Sequence, residues 1–144
     1  MAIKKPENKK TEKKFNFSRA IDRVSIAILI PQVTDKGTVE PVEVEHFFKI
    51  DSFFDAMEAF RSALYVISAD GDIRMDQGAA GFALWWKTIS EVKNYDFKGV
   101  EDWKEFFKIN PDAREHAVRA GLMLSEQLGM PQARVSVPLK GSGS

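Results

Sequence analysis

A chain of 144 residues with 44% apolar and 29% charged side chains holds enough hydrophobic material for one domain with a sizeable core, and is short for two. Its 21 basic and 21 acidic residues balance, cysteine is absent, and the longest apolar runs fall far short of the roughly 20 residues that cross a bilayer. These properties exclude a chain disordered throughout, a disulfide scaffold, a thiol nucleophile and a cysteine-based zinc site, and they predict a cytoplasmic protein with no membrane segment.

The neutral total hides an asymmetry. MAIKKPENKKTEKK, residues 1–14, carries Lys4, Lys5, Lys9, Lys10, Lys13 and Lys14 against Glu7 and Glu12, a net charge of +4. Removing those six lysines and two glutamates from the totals of 21 and 21 leaves 15 basic and 19 acidic side chains on a mildly acidic body. After Ile3 the arm has no apolar residue, so it lacks the burial that offsets the entropy of ordering and is expected to be a flexible extension. Its lysines are candidate contacts to nucleic acid or another polyanion, weak and insensitive to sequence, with solubility as the alternative role. The GSGS end, 141–144, reads as an appended linker, which leaves 15–140 as a single domain.

From Ile21 the pattern has period two. RVSIAILIPQV sets Val24, Ile26, Ile28 and Ile30 on one face, and VEPVEVEHFFKI sets Val42, Val44, His46, Phe48 and Ile50 against Glu43, Glu45, Phe47 and Lys49. TDKG between them supplies turn chemistry, so the pair reads as a β-hairpin. Pro31 and Pro41 cannot donate to a ladder and imply an edge or a small sheet. Such a hairpin must pack on helices or pair with another chain.

Ser52 with Asp55 three residues on is an N-terminal helix signal, followed by Phe53, Met57, Phe60, Leu64 and Ile67 at helical spacing. A second helix is expected from Ile73 or Asp76 to Asn94, with Phe82, Trp85, Ile89 and Val92 on one stripe. VEDWKEFFKI predicts a short third helix grouping Val100, Trp103, Phe106 and Phe107. A fourth is framed by Asn110 as cap, Pro111 at its first position, and Gly129 with Pro131 at its end. Its Ala113, Ala117, Ala120 and Gly121 allow a neighbouring helix to approach closely. The predicted fold is α+β: an N-terminal β-hairpin, forming a small antiparallel sheet, packed on about four α-helices.

SADGDIRMDQGAAG, residues 68–81, crowds Asp70, Asp72 and Asp76 around Gly71. A calcium loop needs oxygen ligands at positions one, three and five, glycine at six and glutamate at twelve. Counted from Asp70, positions five, six and twelve are Arg74, Met75 and Gly81, so the pattern fails. The aspartates are instead expected to make a turn and cap a helix, with a weak magnesium site on Asp70 and Asp72 as the alternative. His46 lies on the apolar face and reads as a satisfied core histidine, while His116 has Asp112 four residues earlier for a surface pair. No metalloprotease, nucleophile-elbow or phosphate-loop spacing occurs.

Trp85 and Trp86 are separated by about 100° of helix, so Trp85 joins the core and Trp86 falls at its flank. Trp86, Trp103 and Phe47, an apolar ring among glutamates, are the candidate partner contacts. The expectation from sequence is a small non-catalytic binding or assembly subunit without a cofactor. It would engage a protein partner, or a second copy, through the hairpin edge and flanking aromatics. The alternative is a small metal-dependent or ligand-binding enzyme centred on Asp70, Asp72 and Asp76.

Overall fold

Alternation of β-branched and polar residues builds the first two strands. The computed structural model, which describes residues 13–16 and 21–130, places Ile26 and Ile28 of β1 (Arg23–Val33) and Val44, His46 and Phe48 of β2 (Val39–Lys49) in the core. The two strands pair antiparallel without interruption, from Arg23 opposite Lys49 to Val33 opposite Val39, with Pro31 facing Pro41. Thr34 closes the turn, its N–H donating to Thr38 O at 2.7 Å and its carbonyl accepting from Gly37 N at 3.0 Å.

The first helix begins where the sequence predicts. In α1 (Phe53–Leu64) Ser52 Oγ accepts from Asp55 N at 3.1 Å, and Ala56, Phe60 and Leu64 are buried. It stops three residues before Ile67, however. Tyr65, Val66 and Ile67 favour extended backbone and form β3 (Tyr65–Ile67), which pairs with β4 (Ile73–Met75) in a two-stranded ribbon. Asp76 N donates to Leu64 O at 2.7 Å and ties the ribbon to the end of the helix.

The second helix is shorter than its apolar stripe suggests: α2 spans Gln77–Thr88, and Ile89–Lys93 is strand β5. Ile89 and Val92 satisfy a helical period, but β-branched residues crowd a helix, and the edge of β2 offers them a ladder. The sheet order is β1-β2-β5. Ser90 is the extra residue of a bulge between the pairs Phe48–Ile89 and Phe47–Glu91, and its Oγ donates to Phe47 O at 3.0 Å. Asn94 then adopts a left-handed φ of 71°, a conformation asparagine tolerates, and its Nδ2 donates to Glu43 O at 2.8 Å. The chain leaves the sheet there, which delivers Tyr95 to the core.

The last two helices follow their caps. Asp102 Oδ1 accepts from Glu105 N at the start of α3 (Trp103–Ile109), and Asn110 Oδ1 accepts from Ala113 N at the start of α4 (Pro111–Gln127), both at 3.0 Å. Central α2 is buried on most of its circumference through Ala80, Gly81, Phe82, Leu84, Trp85 and Thr88, as expected of a helix covered by neighbours on several sides. It meets α4 at glycine. A Cβ on Gly121 would overlap Gly81 O, and one on Gly81 would lie 2.9 Å from Val118 O, so the two backbones touch directly. Among the described residues the architecture is α+β, a small antiparallel sheet and a ribbon with four helices. No helix among the described residues is long and apolar enough to cross a membrane.

Candidate functional site

The aspartate loop caps and turns. Asp70 accepts from Ser68 Oγ and, at 3.3 Å, from Asp72 N, and these bonds hold its carboxyl below the usual carboxylate range. Asp76 Oδ1 accepts from Ala79 N at 3.0 Å as the N-cap of α2. Asp70 and Asp72 stand at the tip of the ribbon and Asp76 at its base, so the three carboxylates do not converge. Among the described residues no group of three or more His, Asp or Glu side chains is arranged to hold a metal ion.

The polar chemistry of the molecule gathers in the core instead. Trp85 Nε1 donates to His46 Nδ1 at 2.9 Å, His46 Nε2 lies 2.9 Å from Tyr95 Oη, and Tyr95 Oη lies 3.5 Å from His116 Nδ1. The donor order follows from the indole, which can only donate. Nδ1 of His46 must accept, so a neutral His46 carries its proton on Nε2 and donates it to Tyr95, leaving the tyrosine hydroxyl proton to point at His116 Nδ1. His46 is 0% exposed, and burial together with the charge on His116 holds its pKa down to about 4. Burial likewise pushes the Tyr95 hydroxyl up, against a small opposing effect of Arg119. His116 is half-buried and lowered mainly by burial and then by Arg119, against the raising effect of Asp112 and Glu115.

Aromatic rings surround this chain of bonds. Trp85 meets Phe107 at a tilt, 5.0 Å between ring centres, and Trp103 edge-on at 6.4 Å, while Tyr95 meets Phe107 edge-on at 5.1 Å. Sequence reasoning identified His46 and Trp85 as core residues and missed their bond. Tyr95 carries no local signal, and His116 turns toward it rather than serving only as a surface partner of Asp112. The three bonds span 39, 49 and 21 residues, separations at which no spacing rule operates.

Of the candidate partner residues, Trp86 and Trp103 both flank Trp85, whereas Phe47 lies apart from them on the sheet. Phe47 is half-buried on the outer face of β2 beneath Lys93 Nζ, 5.0 Å from its ring centre. Trp86, also half-buried, is covered by Lys104 and Lys108 of α3 at 4.4 and 5.4 Å. Trp103 is half-buried against Trp85 and Phe107. The structure does not bring these three rings into one patch. More fully exposed are Leu29 at 60% and Val33 at 67% on β1, and the ribbon face formed by Tyr65, Ile67, Ile73 and Met75, whose two isoleucines are 72% and 67% exposed. Lys13 and Lys14 are exposed, whereas Lys4, Lys5, Lys9, Lys10 and the GSGS end lie outside the described residues.

No protein-family model, curated protein or solved structure matches this chain. Its function is therefore argued from its own geometry.

Proposed function

We propose that this chain is a small non-catalytic binding or assembly subunit that accepts an extended segment of a protein partner along the free edge of β1. One observation carries the reading: β1 is an 11-residue edge strand, paired only with β2 among the described residues, and its exposed side chains include Leu29 and Val33. A long edge of this kind presents unpaired backbone donors and acceptors, which an added strand satisfies while alternate side chains set specificity. Pro31 removes one donor from the strand and limits indiscriminate pairing. The lysine arm adds a polyanion contact to this reading, of shallow salt dependence, because its charge is diluted by Glu7 and Glu12.

The test is affinity capture from the cell of origin with the native chain and with Leu29→Lys/Val33→Lys, which places charge on the edge without touching a core residue. A partner retained by the native chain and lost by the variant, at equal melting temperature, is the expected result. Equal retention by both, or retention by neither, overturns the edge as the contact. Comparing the full chain with 15–144 for binding to labelled duplex DNA at low and moderate salt tests the arm, and equal binding by the two removes it.

A further inference from the structure

We propose that the cleft between the distal half of the β1–β2 hairpin and the N-terminal half of α4 is a binding site for a small neutral amide, with His116 donating to its carbonyl oxygen. The site goes beyond the partner reading: it opens on the core-facing side of the hairpin, where β1 contributes side chains at Ile30, Pro31 and Gln32 rather than its outer backbone edge. It has a volume of about 270 Å3, with Ile30, Pro31, Val42 and Val44 as apolar walls and Tyr95 and His116 among its polar lining. That is slightly below the roughly 300 Å3 at which pockets for drug-sized ligands begin, so the occupant is a compact molecule or group.

The class of ligand follows from the hydrogen-bond chain behind the cleft. The indole of Trp85 fixes the direction of donation through His46 and Tyr95, which leaves His116 Nδ1 as an acceptor. Burial and Arg119 favour the neutral form of His116, and a neutral imidazole that accepts on Nδ1 carries its proton on Nε2. This N–H seeks an acceptor. The charges nearby narrow the kind: Asp96 lines the cleft, and Asp112 and Glu115 act on His116, against the guanidinium of Arg119 and the ammonium of Lys98, which pairs with Asp96 at 3.9 Å. An anionic acceptor meets three carboxylates against two cations and is disfavoured, and a cation has no lone pair to offer the imidazole. A neutral carbonyl meets the N–H without charge, its own N–H2 can face the carboxylate side, and its apolar body rests on Ile30 and Val42.

The experiment follows the ring signals of the histidines and Tyr95 by NMR in the full chain at pH 7, during titration with benzamide, benzoate and benzylamine. Benzamide is expected to give saturable shifts at His116 and Tyr95, with the other two at least about fivefold weaker. His116→Gln retains an N–H donor and is expected to keep benzamide affinity within about twofold, whereas His116→Leu weakens it about fivefold, as loss of one hydrogen bond worth about 1 kcal/mol requires. Val42→Phe fills the apolar wall and is expected to abolish the shifts, which provides a second reading if His116→Leu lowers the melting temperature. Absence of saturable benzamide shifts, unchanged affinity in His116→Leu or in Val42→Phe, or binding of benzoate or benzylamine as tight as that of benzamide overturns the proposal.

Discussion

The α2–α4 crossing and the β3–β4 ribbon are both made largely of small or apolar residues, yet they sit at opposite ends of the packing scale. At the crossing Gly81 and Gly121 bring two backbones into direct contact, and Ala80, Ala117, Ala120 and Leu124 beside them are 0% exposed. On the ribbon Ile67, Ile73, Tyr65 and Met75 share a face that no described residue covers well. Hydrophobicity does not distinguish the two regions. What differs is whether partners surround the side chain, since dispersion and burial stabilise only where neighbouring atoms are present. The crossing therefore carries stability, and the ribbon, like the β1 edge, is surface that the described part of the fold leaves exposed.

Substitution at the crossing is the strongest way to break this contrast. Gly121→Ala is expected to lower stability by about 3 kcal/mol, the upper end of the usual overpacking cost, because its Cβ meets the backbone of Gly81, which has no rotamer with which to yield. Gly78, on the same helix as Gly81, meets only Asp76 Oδ1 at 3.7 Å, so Gly78→Ala is expected to stabilise by about 0.5–1 kcal/mol through helix propensity. Urea denaturation of the two variants checks both values, and equal effects would show that close approach is not what the crossing requires.

The second test is pH. His46 has a folded pKa of about 4 against 6.5 for the free side chain. Between these values the unfolded chain binds a proton that the folded chain refuses, so stability is complete above pH 6.5 and falls as the pH drops toward 4. The full loss amounts to roughly 3 kcal/mol. An NMR titration is expected to show the His46 ring unchanged from pH 8 to 5, and titration of that ring near 6.5 would contradict its burial behind Trp85 and Tyr95.

The ribbon is expected to respond far less. Ile73→Lys replaces a side chain 67% exposed and should change stability by no more than about 0.5 kcal/mol in the same denaturation assay. A larger loss would mean that the ribbon packs on something in solution. Smallest of all, Asp70→Asn with Asp72→Asn keeps the acceptor oxygens of the turn and is expected to leave the melting temperature within a degree or so. A marked change in the midpoint would give those carboxylates a role beyond the turn.

What the sequence determined by itself is local. The alternation in RVSIAILIPQV and VEPVEVEHFFKI, the caps Ser52 and Asn110, and the Gly129 stop define elements within a few residues of one another, where backbone geometry and short-range hydrogen bonds govern the outcome. The burial of His46 and Trp85 was legible for the same reason. Tertiary structure decided the rest. Ile89–Lys93 is a strand because β2 has an edge to pair, Val66 and Ile67 leave their helix because Arg74 and Ile73 return to meet them, and Trp85, His46, Tyr95 and His116 are joined only once α2, the sheet and α4 have packed. Periodicity records which way a side chain faces. It does not record which distant residue it will face, because that depends on the free energy of competing long-range contacts, which no short stretch of the chain contains.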